Sequence, residues 1–278
     1  LNDEIIYSFE FHTNSQVISM IKRSVEAQEK WGLFTLKDRV NSFQKIKKIL
    51  DTNKNKYASS MAKEMGKPID QGILEIEKCI LLLKFYENNI LTLTTKNFYN
   101  VEPEKNVIYK PLGVVLGIMP WNFPFWQAFR FAIPVLLSGN TVMLKHALNV
   151  QQSALHIEEI FSRLDLPMNI YQNLRLSDSN TTQLIKSKSI SAVSFTGGSK
   201  AGSIVAKMAG THLKKVLLEL GGSDPLIVLS DANIDKAISC CIASRLLNAG
   251  QSCISAKRII VAESIYELFV NKLILKLK

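Results

Sequence analysis

Cysteine and histidine are scarce in this chain, with four of each in 278 residues. Cys79, Cys240, Cys241 and Cys253 form no CxxC pair, and His12, His146, His156 and His212 stand apart. Zinc-ligand spacing and a disulfide framework are therefore not indicated, and no metal is expected. The same isolation leaves a histidine-assisted nucleophile without support. Long apolar runs are also missing. Passages such as residues 131–137 are interrupted or far shorter than the roughly 18 unbroken apolar residues of a membrane helix. The opening LNDEIIYSFE has no basic segment followed by an apolar one, so no secretory signal is visible. A soluble, cytoplasmic protein without a membrane partner is expected. Runs of basic residues interleaved with aromatics are absent too. The net charge of +10 (34 Lys+Arg against 24 Asp+Glu) is spread over scattered lysines, which describes a solvated surface. No nucleic-acid partner is expected.

What is present is a chain that is 47% hydrophobic and long enough for one large or two smaller domains. The first third reads as helices. Ser15 is placed to cap a helix with Ile18, Ile21 and Val25 on one face. Thr35 and Asp38 resemble a capping box ahead of Phe43, Ile46 and Leu50. Tyr57, Met61 and Met65 form a third stripe, ended by Gly66 and Pro68, and Ile73, Ile76, Ile80 and Leu83 run along a fourth helix. FYNVEPEKNVIYKP then reads as a hairpin around a polar turn.

From Gly113 onward the pattern changes. GVVLGI, TVMLK, MNIYQ, AVSFT, KVLLEL and PLIVL read as strands, with helices around 124–138, 150–163, 199–210 and 233–248. Such alternation predicts an α/β fold with a parallel sheet, where ligands gather at the carboxyl ends of strands. Four strand ends are chemically notable. In IMPWNFP, two prolines restrain Asn122, which either offers its amide to an oxyanion or satisfies its own turn. Lys145 closes TVMLK and either reaches a nucleotide or marks the exit into solvent. SFTGGSKAG runs from strand through Gly197 and Gly198 into a helix start suited to phosphate, although it is not GxGxxG. Glu219 closes an apolar strand beside two glycines, either as a general base or in an ordinary salt bridge. Beyond them, Cys253 follows a helix ended by Asn248-Ala249-Gly250, so its thiol is expected on a loop. That position favours reactivity over core packing.

Together PWNFP, the strand ending in Lys145, FTGGSKAG, LELGG and GQSC resemble, in order, the motifs of the aldehyde dehydrogenase superfamily. EMGKPI at 64–69 and the stretch from MPWNFPFWQAFR to LKHALNV look similar to bacterial succinate-semialdehyde dehydrogenases. The resemblance implies a Rossmann-type cofactor domain with N-terminal helices (1–96), a bridging hairpin (97–111), the NAD(P)-binding part (112–219) and the start of a catalytic α/β domain (220–278). It implies Cys253 as nucleophile, Asn122 as oxyanion donor and Glu219 as base. Cofactor contacts to NAD or NADP would come from Trp121, Lys145, Gly197, Gly198, Ser199, Gly202 and Leu220. Arg130 would hold a substrate carboxylate, the partner being a small-molecule aldehyde. Three positions depart from the pattern: Gly198 replaces a common serine, Leu148 a glutamate that favours NAD, and Leu247 a second substrate arginine. Relatives continue well beyond Lys278, so the chain is expected to be C-terminally truncated, of doubtful activity, and a homo-oligomer when complete. The alternative is a non-catalytic remnant that at most binds nucleotide.

Overall fold

A computed structural model of the chain describes residue 5, residues 7–95 and residues 109–278, with side chains described to residue 90 in the first stretch. Most of the expected hairpin at 97–111 lies outside the described residues.

Four helices come first: α1 (Asn14–Gly32), α2 (Leu36–Ser42), α3 (Gln44–Met65) and α4 (Ile69–Thr95). The cap of α1 is Thr13 rather than the expected Ser15. The Gln16 N–H donates to the Thr13 hydroxyl at 3.3 Å, and the Thr13 N–H donates back to Gln16 Oε1 at 2.8 Å. Ser15 has Ile18 three residues on, which cannot return such a bond. Thr35 does cap α2, accepting from the Asp38 N–H at 3.2 Å. That helix stops at Ser42, however, and Ile46 and Leu50 share α3 with Tyr57, Met61 and Met65. The two expected stripes are one face of a single helix. Gly66, at φ 73°, ends it in the left-handed conformation that glycine adopts without a Cβ penalty.

The α/β part follows as β1 (Val114–Met119), α5 (Pro124–Leu137), β2 (Thr141–His146), α6 (Gln151–Ser162), β3 (Tyr171–Asn173), α7 (Asp178–Ile185), β4 (Ile190–Gly197), α8 (Ser199–Thr211) and β5 (Lys215–Leu220). Among the described residues these strands form one sheet in the order β3-β2-β1-β4-β5. β1 pairs in parallel with β2 and β4, and β2 with β3. All residues of β1 and β2 are buried, which explains their unbroken apolar sequences. Val115, Val142 and Leu144 face a core built with α3 to α6, while Val114, Leu116, Ile118 and Met143 face one built with α7 and α8. Gly117 lies where α5 comes closest, since a Cβ there would sit 2.4 Å from the Phe131 ring. β3 is shorter than MNIYQ suggests, because Asn169 turns at φ 68° and delays the extended backbone to Tyr171.

The chain divides into two compact units, residues 1–219 and 220–278. In the second, β6 (Asp224–Val228), α9 (Ile234–Arg245), β7 (Ala256–Val261) and α10 (Tyr266–Leu277) succeed one another, with β6 parallel to β7. Val228, Ile238, Cys241 and Phe269 are its core.

Within the first unit, two carboxylates fasten helix starts that follow strands. Glu64, near the end of α3, accepts the N–H of Gln152 at 2.6 Å and that of Ser153 at 3.1 Å, where α6 begins. Glu75, on α4, accepts the N–H groups of Phe125 (2.9 Å) and Trp126 (2.8 Å), where α5 begins. Its second oxygen holds the ammonium of Lys67, and both side chains are fully buried. That ammonium also lies 4.3 Å from the centre of the Phe123 ring. Burial pushes the Glu75 carboxyl up and the Lys67 amine down, against the opposing pull each exerts on the other. Removing one member of such a pair strands the other's charge, whereas removing both does not. Glu75→Gln should therefore lower stability by about 3 kcal/mol, and Lys67→Met/Glu75→Gln should cost less than Glu75→Gln alone. Urea unfolding of these two variants and of Lys67→Met alone measures this. Strictly additive losses would show that the two groups do not act as a pair.

Candidate functional site

Three strand ends lie side by side at one edge of the sheet, because Ile118 of β1 is in register with both Lys145 of β2 and Phe195 of β4. The path β1-β2-β3 grows away on one side and β4-β5 on the other. The junction between β1 and β4 is thus a switch point, the usual crevice for a ligand in this architecture.

At the end of β1 the chain passes Pro120, Trp121, Asn122 and Phe123 before Pro124 opens α5 at a helix-starting position. Trp121 is 39% exposed and Asn122 is half-buried. Two buried features adjoin this loop. One is the Lys67–Glu75 pair, which holds Phe123 and the first amides of α5. The other is His146, the last residue of β2, which is wholly buried. Its imidazole is pushed down to about 4, first by burial and then by the Lys145 charge. The backbones of Pro120 and Pro124 favour a proton on the ring, but neither ring nitrogen reaches hydrogen-bonding geometry among the described residues.

Lys145 is a buried strand-end lysine, its ammonium 2.7 Å from the exposed Asp178 carboxylate in the first turn of α7. At the end of β4, Gly197 has an internal reason to be glycine, since a Cβ there would meet Phe195 at 2.6 Å. Gly198 is different: it is exposed, and a Cβ would touch nothing. It starts α8 without any side-chain cap or acidic residue in the first turn. The first helical bond runs from Gly202 N–H to Gly198 at 2.9 Å, so the amides of Ser199, Lys200 and Ala201 precede the helix ladder. Gly202, in the first turn of α8, is buried.

Of the two readings open for Glu219, a desolvated base or an ordinary salt bridge, the surroundings match the second: among the described residues β5 is the sheet's edge strand and most of its residues are exposed. Its side chain is 49% exposed, with one carboxylate oxygen 3.3 Å from a guanidinium nitrogen of Arg130. The expected base and the expected substrate arginine therefore meet each other directly.

Leu220 and Cys253 belong to the second unit. Leu220 is 38% exposed. After α9, Asn248, Ala249 and Gly250 turn consecutively at φ 58°, 53° and 77°, and Cys253 follows on a loop between this turn and β7. Arg245 donates to the Gly250 carbonyl at 2.9 Å, Ser255 to the Ser252 carbonyl at 2.9 Å, and Lys257 to the Cys253 carbonyl at 2.7 Å. Cys253 is half-exposed, whereas Cys241 lies in the core of α9. The expected loop placement of the thiol is what the structure has.

Sequence reasoning gave no role to Glu64, Lys67, Glu75 and His146. A signal for Glu75 was available: it adjoins Ile76 and lies four residues before Cys79, on the buried face of α4. A carboxylate on such a face needs partners.

The lowered value of His146 has a definite sign. A neutral imidazole is favoured in the folded chain, so its contribution is present above about pH 6.5 and lost as pH falls toward about 4. Replacing it with Gln should flatten the acid limb of stability between those limits, by up to ~1.4 kcal/mol per pH unit for one proton. Chemical unfolding at a series of pH values reads this. An unchanged slope would place the linked proton elsewhere.

The comparisons with known proteins agree with the geometry. The model for the Aldehyde dehydrogenase family matches residues 1–278. A probable succinate-semialdehyde dehydrogenase (NADP+) of Synechocystis sp. is 39% identical over 271 residues, covering 97% of this chain and 60% of that protein. A succinate semialdehyde dehydrogenase (NAD(P)+) of Escherichia coli is 39% identical over 245 residues, covering 88% and 53%. The crystal structure of succinic semialdehyde dehydrogenase from Streptococcus pyogenes in complex with NADP+ superposes with a TM-score of 0.92 at 31% identity, covering 98% of this chain and 60% of that one. The chain thus spans about 60% of the length of the first relative and of that crystal structure. With a family model matched from its first residue to its last, the chain belongs to the aldehyde dehydrogenase family.

Proposed function

We propose that this chain carries the cofactor layer and the nucleophile of an NAD(P)-dependent aldehyde dehydrogenase acting on a semialdehyde, with succinate semialdehyde the favoured substrate. The observation that carries this reading is the gathering of Trp121, Asn122, Lys145 and the uncapped start of α8 around one switch point. Residues 1–96 and 112–219 form the cofactor layer in this reading, and 220–278 open the catalytic one.

The residues present fit a dinucleotide. Free amides in the first turn of α8 and open space at Gly198 suit a pyrophosphate, and the Lys145 ammonium suits a ribose. Leu148, 41% exposed, brings no negative charge that would repel a 2′-phosphate. The similar proteins are named for NADP+ or NAD(P)+, which supports NADP+ as the better cofactor here. NAD(P)+, when bound, takes up the hydride released from the substrate carbon.

The chain's own residues supply the rest. Cys253 adds its thiolate to the aldehyde carbon, and the Asn122 amide donates to the oxyanion that forms. Once oxidation has left a thioester on Cys253, Glu219 takes a proton from water as the water oxygen adds to the acyl carbon. The C–S bond then breaks, returning the thiolate and releasing the acid. Arg130 holds the substrate's distant carboxylate through a paired contact.

Reduced-cofactor formation from succinate semialdehyde is the direct test. It should be faster with NADP+, absent in Cys253→Ala, and about 10²–10³-fold slower in Asn122→Ala. NADP+ at a hundredfold excess over Kd should also raise the melting temperature by roughly 5–10 °C. Stabilisation without turnover would leave a nucleotide-binding protein. Turnover in Cys253→Ala would remove the thioester route.

A further inference from the structure

The Arg130–Glu219 ion pair joins two groups that the proposed reaction needs apart. One guanidinium nitrogen meets one carboxylate oxygen at 3.3 Å, with the side chains 38% and 49% exposed. Beside Arg130 lies a recess of about 290 Å³ within the first unit, lined among others by Met119, Gln127, Phe131, Thr196 and Leu217. We propose that this pair is a latch opened by the substrate: the far carboxylate of a semialdehyde takes the Arg130 guanidinium and releases Glu219 to act as base. The inference rests on the roles given above to Arg130 and Glu219.

Two physical points carry it. First, the contact is single, and a guanidinium has five N–H donors in a planar fork. An incoming carboxylate can therefore bind two of them before the Glu219 oxygen leaves, so no unpaired charge arises during the exchange. Second, a pair this exposed is weak, biasing Glu219 toward Arg130 by no more than about fivefold. A bidentate competitor displaces it readily.

The latch changes what selectivity means. An uncharged aldehyde of the same length leaves Glu219 engaged, so its thioester hydrolyses slowly even after it has formed. An acid-ended aldehyde both binds Arg130 and frees the base. Discrimination then enters kcat as well as KM, since the carboxylate contact assists a later step.

Succinate, which has the carboxylates but no aldehyde, separates the latch from catalysis. Titrated by calorimetry, it should bind the wild-type chain weakly, Glu219→Ala about twofold to fivefold more tightly, and Arg130→Gln not measurably. Equal affinity for wild type and Glu219→Ala would overturn the latch while leaving Arg130 as a carboxylate site. Absence of binding to all three proteins would overturn the exchange itself. In turnover, Arg130→Gln should oxidise butanal about twofold to fivefold faster than wild type while losing activity on succinate semialdehyde. A slower or unchanged butanal rate would also overturn the latch. Failure of wild type to oxidise either aldehyde would instead count against the dehydrogenase reading, with the succinate titration still deciding the latch.

Discussion

The organisation of the first unit depends on how the N-termini of the helices after β1 and β2 are satisfied. Each helix start leaves amides without a partner in the helix, and burying them unpaired is costly. Here the partners are carboxylates from a different part of the chain: Glu64 for α6 and Glu75 for α5. Burial raises both carboxyls, and the helix-end amides, with Lys67 at Glu75, oppose that cost. EMGKP therefore ties the N-terminal helices to the helices that follow the two strand ends bearing Asn122 and Lys145. The loops between strand and helix are short, so fixing the helix start also fixes the loop.

The start of α8 is the counterexample that gives this arrangement meaning. No side chain caps it, its first turn is free of acid, and Lys200 adds positive charge beside it. Two helix ends are closed by the protein's own carboxylates and one is left open at the switch point. A phosphate is the chemical equivalent of the missing carboxylate. The difference between these ends says more than the glycines do, because Gly197 is already required by Phe195.

Much of the fold was legible in the sequence. Six apolar segments correspond to strands, and in β1 and β2, buried on both faces, the apolar run is continuous for that reason. The positions of the candidate residues at strand ends were legible for a related reason, a polar residue closing an apolar run being conspicuous. The failures are equally physical. Ser15 and Thr13 are chemically equivalent caps, and only Gln16 three residues after Thr13 distinguishes them. The environment of Glu219 depends on its strand lying at an edge, and strand order is a property of the assembled sheet. Glu75 and His146 act on residues about 50 and 25 positions away, so no local pattern names their partners.

The turn before Cys253 carries the argument into the second unit. Left-handed backbone costs a non-glycine residue roughly 1–2 kcal/mol, yet Asn248 and Ala249 both adopt it and only the third position is glycine. Had α9 simply ended, one left-handed glycine would have sufficed. Three in succession reverse the chain within a few residues and carry it to the loop that bears Cys253. Arg245 closes that turn through the Gly250 carbonyl, and a Cβ at Gly250 would lie 2.9 Å from its guanidinium. The glycine is thus needed for its φ, and the arginine tip fills the space that its missing side chain leaves. The strain of Asn248 and Ala249 is borne where it separates one cysteine from another: Cys241 stays in the helical core, and Cys253 is delivered outside it.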